Sequence, residues 1–175
     1  MAVLGVDDFK AKLRGGGARP NLFKVTINFP GYAAGDAELT SFMCEAAQLP
    51  GSTIGTIEIP FRGRRVKFAG DRTFEPWTVQ IINDNEMTVR DSMERWMNGM
   101  NEHTANTGFA DPTTYEADLL VEQLDKSGAI TKTYDLRGCF PTSITPIDLS
   151  WGAENEVERF NVEFQIQYWE SNTTS

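Results

Sequence analysis

Apolar and polar residues alternate most regularly in two segments, 22–29 and 160–168. An apolar side chain at every second position is the period of a strand with one face in a core. The last strand therefore places Phe160, Val162, Phe164, Ile166 and Tyr168 on one face, and Asn161, Glu163, Gln165 and Gln167 on the other. Further strands are predicted at 38–48, 73–82, 118–124, 130–136 and 144–149.

Residues 86–101 are the one long segment with the period of an α-helix. The preceding Asn83-Asp84-Asn85 supplies side-chain oxygens of the kind that cap helix N-termini. The apolar residues of the segment form a single stripe, made of Val89, Met93, Trp96, Met97 and Met100. We expect this stripe to cover one open end or face of the β-structure.

A long β-hairpin is predicted from two segments rich in β-branched, aromatic and basic residues, 52–59 and 61–68. Its faces do not separate cleanly in the sequence, because Ile54 has the opposite parity to Ile57 and Ile59, with Gly55 as a possible bulge. A hairpin with apolar side chains on both faces is poorly stable alone, so it must pack on something. We call residues 51–72 the arm.

Together these elements predict a mostly β protein. Several connections are too short for parallel crossovers, which favours an antiparallel β-sandwich or barrel with one flanking α-helix and a protruding arm. The length of 175 residues suits a single domain. Within it, residues 1–19 are expected to be a flexible N-terminal segment, because Gly15-Gly16-Gly17 lies there, and residues 171–175 a mobile polar tail.

Charge is distributed unevenly along the chain. The 16 Lys and Arg residues against 25 Asp and Glu give a net charge of −9, which disfavours general affinity for nucleic acid. Five of the bases nevertheless lie on the arm: Arg62, Arg64, Arg65, Lys67 and Arg72. An acidic cluster, Glu154, Glu156 and Glu158, lies near the C-terminus. Three interpretations stay open: a solvated strand, a nucleic-acid-binding arm, or head-to-tail association of copies.

Catalytic chemistry finds little support in the sequence. His103 is the only His, and Cys44 and Cys139 lie in apolar surroundings, where a structural thiol is expected. We therefore expect no enzymatic activity, no metal site and no cofactor. The sequence also has no apolar run long enough to span a bilayer and no secretory signal, so stable membrane insertion is not expected and folding is expected in the cytoplasm.

Several short motifs resemble the tail tube protein family of contractile-tailed bacteriophages. They occur in the family's order and are spread over residues 18–98 and 134–170: Ala18-Arg19-Pro20-Asn21-Leu22-Phe23, Phe68-Ala69-Gly70-Asp71-Arg72-Thr73-Phe74, Trp77-Thr78-Val79 with Asn83-Asp84, Leu136-Arg137-Gly138-Cys139-Phe140-Pro141-Thr142, Leu149-Ser150-Trp151 and Tyr168-Trp169-Glu170. Residues 30–36 and 103–117 carry no motif of this family, so no role is transferred to them.

The resemblance implies a structural virion protein that forms hexameric rings, which stack into a hollow tube inside a contractile sheath. The tube conducts the genome on ejection. The implied partners are further copies of the chain, the sheath protein, and baseplate and tail-terminator proteins. Assembly would take place in the cytoplasm of the host bacterium. Tube-initiator or baseplate proteins and the tubes of phage-derived injection systems share the fold and are alternatives, as is a small nucleic-acid-binding β-barrel that uses the basic arm.

The resemblance places the arm between neighbouring subunits and rings. The arm residues expected at that interface are Ile54, Ile57, Ile59, Phe61, Arg62, Arg64, Arg65, Lys67 and Arg72, and their acidic counterpart is Glu154, Glu156 and Glu158. The polar face of the last strand, with Asn161, Glu163, Gln165 and Gln167, or the comparable polar face of residues 22–29, is expected to line either the lumen or the outer wall. The sequence does not choose between the two.

Overall fold

The computed structural model describes residues 5–174. Its strands are β1 Phe23–Ile27, β2 Cys44–Ala47, β3 Ser52–Phe61, β4 Arg64–Phe74, β5 Trp77–Ile82, β6 Ala117–Leu124, β7 Ile130–Ile144, β8 Arg159–Gln165 and β9 Tyr168–Ser171. Its α-helices are α1 Val6–Lys12, α2 Ala37–Met43, α3 Thr88–Met100 and α4 Pro112–Tyr115. The prediction of a mostly β fold with antiparallel pairing is confirmed.

Seven strands form the main sheet, in the order β1-β6-β7-β8-β5-β2, with β9 also paired to β7. The first part of β7 pairs with β6 and β9, and its last part pairs with β8. The change of partner lies at Gly138, where φ is +60° and a Cβ would come within 2.6 Å of Gln167 Cγ. This position favours glycine, and both parts of the sheet contribute side chains to one core.

Helix α3 closes this core on one side with the predicted apolar stripe. Val89, Met93 and Trp96 are fully buried. The indole of Trp96 lies 5.6 Å from the ring of Phe29 and 5.8 Å from that of Phe164, and its Nε1–H donates to the carbonyl of Tyr115 at 2.7 Å. Trp96 therefore connects α3, the sheet and the end of α4 at one point.

Two predicted strands are wrong, for local reasons that only the structure shows. The segment 38–48 begins as helix α2, because the Asp36 carboxylate accepts hydrogen bonds from the backbone N–H groups of Glu38 and Leu39 and caps it. Only Cys44–Ala47 is strand. The segment 144–149 is not a strand either, since β7 runs on from 130 to Ile144 and ends before Pro146.

The last predicted strand divides into two. Regular alternation holds from Phe160 to Ile166, all of whose apolar members are buried, but β8 ends at Gln165 and β9 begins at Tyr168, which is exposed. Ser171, predicted to open the mobile tail, lies in β9 opposite Tyr134 and is buried. Residues 1–4 and 175, which belong to the predicted flexible ends, lie outside the described residues.

Both thiols lie in apolar surroundings. Cys139 is fully buried and Cys44 partly so, and burial raises the pKa of each to about 12. Neither thiol forms a reactive thiolate at neutral pH. Within residues 5–174, no helix is both long and apolar enough to cross a membrane.

We predict that Trp96→Ala lowers the free energy of unfolding by about 3–5 kcal/mol, because it opens a cavity where helix and sheet meet. Trp96→Phe, which keeps an aromatic ring but leaves the Tyr115 carbonyl without its donor, should cost about 1–3 kcal/mol. Chemical denaturation followed by circular dichroism measures both. Trp151→Ala is the matched control: Trp151 is fully exposed, so its removal should change stability by less than about 0.5 kcal/mol. Equal losses at both sites would contradict this account of the core.

Candidate functional site

The arm is a separate two-stranded sheet. Strands β3 and β4 pair with each other and with no other described strand. The connecting residues Arg62 and Gly63 have φ angles of +46° and +82°, the left-handed pair that a tight hairpin turn requires. At its base the arm is held by Trp169, whose Nε1–H donates to the carbonyl of Gly51 at 3.1 Å and whose ring packs edge-on against Phe74.

Cross-strand register sorts the outer half of the arm into two faces. Residues directly opposite each other share a face, and the pairs are Ile57 with Phe68, Ile59 with Val66, and Phe61 with Arg64. The other face carries the pairs Glu58 with Lys67 and Pro60 with Arg65. The predicted irregularity is present at the base of the arm, where the register shifts between Ile54 and Thr56 and Ile54 lies opposite Arg72. The outer half of the arm is regular, so its two faces are sorted.

Residues 5–174 leave the sorted apolar side chains of the arm uncovered. Ile57, Ile59, Phe61, Val66 and Phe68 are each between 42% and 61% exposed, although cross-strand neighbours already shield them in part. Contiguous exposed apolar surface of this kind on a soluble protein marks an interaction site. We name this set the apolar face of the arm. Val66 and Phe68 were missing from the predicted interface, and their pairing with Ile59 and Ile57 is what brings them into it.

The basic residues of the arm are only partly neutralised. Arg65 and Lys67 share the carboxylate of Glu58, at 2.9 and 3.5 Å. Arg62, Arg64 and Arg72 form no ion pair within residues 5–174. The Arg62 guanidinium lies 5.4 Å from the centre of the Phe61 ring, a distance typical of a cation–π contact. The arm therefore has surplus positive charge beside its apolar face.

The predicted acidic cluster lies in a loop, residues 145–158, which we call the acidic loop. Glu154 and Glu156 are exposed, and neither forms an ion pair with another described residue. Glu158 is half-buried and anchors the end of the loop: its carboxylate accepts from Asn83 Nδ2, and its carbonyl accepts from the Asn83 N–H, both at 2.9 Å. The freely available charges of the cluster are thus those of Glu154 and Glu156.

Sequence reasoning missed three apolar side chains of the acidic loop. Trp151 is fully exposed, Leu149 is 81% exposed and Val157 is 55% exposed. A Trp in a segment of Ser, Gly and acidic residues was a visible signal, because such a side chain has no local strand or helix face to pack it. Among the described residues, no hydrogen bond and no ion pair connects the arm to the acidic loop.

The polar residues of β8 form a row on the outside of the sheet. Glu163 lies opposite Thr78 and Asn161 lies opposite Gln80. Asn161 and Gln165 are half-buried and Glu163 is exposed, so none of the three lies in the core. Gln167 leaves the row, since it follows the end of β8 and its Nε2 donates to Glu116 Oε1 at 3.2 Å.

The described surface offers groups suited to contact with a partner. His103 is exposed, and residues 5–174 hold no group of three His, Cys, Asp or Glu side chains placed to bind a metal. What the described surface does present is an apolar face flanked by positive charge, an apolar loop flanked by negative charge, and a row of polar side chains on the sheet. These are features of a protein that binds another protein.

Comparison with known proteins gives the same family by two routes. A family model described as phage tail tube protein matches residues 18–172. The chain is 32% identical over 168 residues to the tail tube protein gp19 of Enterobacteria phage T4, covering 94% of this chain and 99% of that protein. It is 33% identical over 165 residues to the tail tube protein of Serratia phage KSP90, covering 91% of this chain and 93% of the relative.

Solved structures show a similar fold. The chain superposes on a chain of the sheath-tube complex of an extracellular contractile injection system, PVC, with a TM-score of 0.67 and 14% identity, over 92% of this chain and 95% of the other. It superposes on the tube-terminating cap of the anti-feeding prophage with a TM-score of 0.66 and 18% identity, over 90% and 91%. At these identities the likeness is one of fold alone.

We predict that the arm exchanges its backbone amide hydrogens much faster than β5 and β8 in the unassembled protein, because a two-stranded sheet without a packed face opens readily. Hydrogen–deuterium exchange with mass spectrometry should show peptides from 56–69 approaching the rates of an unstructured chain. Peptides from β5 and β8 are the internal control. Protection of the arm equal to theirs would mean that the arm is stable without a partner.

Proposed function

This chain belongs to the family of phage tail tube proteins, and we propose that its copies form hexameric rings that stack into the inner tube of a contractile tail. A tail tube protein is a structural component of the virion, so the role is one of assembly, without catalysis. The tube is the conduit through which the genome leaves on ejection. The single observation that carries this proposal is the uncovered apolar face of the arm, which needs a surface outside its own chain.

Sheet edges support the same mechanism. The main sheet ends at β1 on one side and at β2 on the other. The outer backbone groups of an edge strand are free to pair with a further strand, and natural proteins cover or close such edges. A ring of copies pairs these edges by continuing the sheet from one subunit to the next, which gives a closed barrel without a free strand edge.

Charge sets how the copies meet. The arm has surplus positive charge, while the acidic loop has negative charge that no described residue neutralises. Because these two surfaces differ, their contact is head-to-tail, and such contacts generate rings or open stacks rather than closed dimers. Complementary charges fix the register of the contact more than its strength. The arm of one subunit therefore docks on Glu154 and Glu156 of a neighbour, with Glu158 holding that loop in place.

The polar row on β5 and β8 is the wall of the channel. Thr78, Gln80, Asn161, Glu163 and Gln165 present hydroxyl, amide and carboxylate groups. A base, Arg159, lies on the same face at the start of β8, and its guanidinium is paired with the Glu45 carboxylate. A wall of this kind repels or ignores phosphate, so DNA passes without being held. Gln167, which lies off the row beside Glu116, is not assigned to the wall.

The remaining partners follow from the tube. The sheath protein surrounds it, and baseplate and tail-terminator proteins bind its two ends. Assembly takes place in the cytoplasm of the host bacterium. A phage tail is favoured over an injection system because the phage relatives are 32–33% identical over nearly the whole chain, whereas the injection-system chains are 14–18% identical. A nucleic-acid-binding role is disfavoured by the net charge of −9.

Electron microscopy of the purified protein at high concentration tests the proposal, and we expect rings or tubes of uniform bore. The variant Arg62→Glu/Arg64→Glu/Arg65→Glu should raise the protein concentration needed for tube growth by roughly 100-fold, since placing like charges together costs several kcal/mol. Its free energy of unfolding should fall by less than about 1 kcal/mol, because all three side chains are exposed.

The matched control reverses three exposed bases outside the arm and the sheet edges, Lys12→Glu/Arg19→Glu/Lys126→Glu, with the same change in net charge. It should assemble at nearly the wild-type concentration. Equal effects of the two triple variants would show that net charge, and not the arm, governs growth. A wild-type protein that stays monomeric at every concentration, with and without baseplate proteins, would overturn the proposed function itself.

The position of the channel wall has its own test. In tubes of Glu163→Cys, we expect a small maleimide to label position 163, while a maleimide coupled to a folded carrier protein should not reach it along the tube. The unassembled variant should react with both reagents, because Glu163 is exposed. Wild-type tubes report any background from Cys44 and Cys139, whose thiols have a pKa of about 12. Labelling of intact tubes by the large reagent would place this row on the outer wall.

A further inference from the structure

Trp151 differs from the three other tryptophans in having no partner. Trp77 donates its Nε1–H to the carbonyl of Gln48 at 2.6 Å, and Trp96 and Trp169 donate theirs to the carbonyls of Tyr115 and Gly51. Each of those three also packs on another aromatic ring. Among the described residues, Trp151 has neither a hydrogen-bond acceptor for its indole nor an aromatic neighbour, and it is fully exposed.

The acidic loop holds Trp151 at a defined place. At the start of the loop, Thr145 exchanges hydrogen bonds with Asn161, and its carbonyl accepts from Arg90 Nη1 at 3.2 Å. At its end, Glu158 bonds to Asn83. Around Trp151 itself the chain turns, with the Ala153 N–H donating to the carbonyl of Ser150 at 3.2 Å and the Gly152 N–H donating to Ser150 Oγ at 3.3 Å.

Because the loop is held at both ends and turns at Trp151, its exposed apolar side chains are suited to anchor a contact. Large aromatic side chains bury about 150–250 Å² each on contact, more than most other residues offer. Leu149 lies two residues away and is almost as exposed. An ordered turn that displays a Trp and a Leu loses less conformational entropy on binding than a flexible segment would. The pair is therefore suited to be the central, water-excluding part of an interface.

The apolar face of the arm is complementary to this anchor in apolar character and in charge. It offers aliphatic and aromatic side chains in a flat stripe, with Arg62 and Arg64 at its outer end. A guanidinium beside an indole gains cation–π attraction. The acidic residues that flank the anchor in sequence, Asp148, Glu154 and Glu156, are opposite in sign to the surplus bases of the arm.

We propose that Trp151, together with Leu149, is the apolar anchor that inserts against the apolar face of the arm of a second copy. This inference rests on the proposed function, and it names the residues that supply the strength of the contact while the charges orient it. The occupant is a second copy because the described part of the chain leaves both surfaces open and their charges complement each other. The sheath protein is the rival occupant that the experiment must separate.

The test combines assembly and fluorescence. Trp151→Ala should raise the concentration needed for tube growth by about 30-fold or more, the effect of losing an interface hot spot of 2 kcal/mol. Trp151→Phe should recover most of the loss, because the ring is kept. Ile130→Ala is the matched control: it truncates another exposed apolar residue, which lies outside the arm and the loop, and it should assemble like the wild type.

Fluorescence reports the position of Trp151 directly. Subtracting the emission of Trp151→Phe tubes from that of wild-type tubes isolates the signal of Trp151. On assembly we expect this signal to shift to shorter wavelength and to lose its quenching by acrylamide. A double-mutant cycle between Trp151→Ala and Phe61→Ala should give a combined effect clearly smaller than the product of the two single effects, because both remove the same contact.

The possible outcomes are distinguishable. Protection of Trp151 in bare tubes, with coupling to Phe61, supports the proposal. Tubes that form normally from Trp151→Ala, or in which Trp151 stays open to acrylamide, overturn it and leave the tube function standing. Protection that appears only when sheath protein is added also overturns it, since the occupant is then the sheath. Wild-type protein that never assembles removes both this inference and the proposed function.

Discussion

The arm presents an apolar face that residues 5–174 leave uncovered, and the proposed assembly depends on burying it. Ile57, Ile59, Phe61, Val66 and Phe68 lie on one side of a ribbon only two strands wide. Such a ribbon is marginally stable in water, and the exposure of its apolar side to water is unfavourable. Association with another surface relieves both problems together, which is why an assembling protein can maintain an arm that a monomeric protein could not.

The body of the protein acts as a rigid mount for the two surfaces that we propose to meet. Trp169 fixes the base of the arm through Gly51, while Asn83 and Arg90 hold the two ends of the acidic loop. Behind them, α3 and the main sheet share one packed core through Trp96. Three tryptophans thus stabilise the subunit internally, and the fourth, Trp151, is left for contact with a partner.

In the proposed assembly, electrostatics sets the direction of the contact rather than its strength. A chain with a net charge of −9 would repel its own copies, yet the bases concentrated on the arm create one place where approach is favourable. Because the arm differs from the acidic loop on which we propose that it docks, successive copies would add in one sense only. In the proposed channel, the polar row of β5 and β8 offers little positive charge to hold phosphate, because Arg159, the base at the start of β8, is paired with Glu45.

The sequence alone determined the elements whose signal is local: the alternating strands, the stripe of α3, the arm with its bases, and the family. It could not show that Asp36 caps a helix where a strand was predicted, or that Gly138 lets one long strand serve both parts of the sheet. The register that unites Phe68 with Ile57, and the exposure of Trp151, were decided only by the tertiary structure. Periodicity is a property of neighbouring residues, whereas pairing across strands and burial depend on segments far apart in the chain.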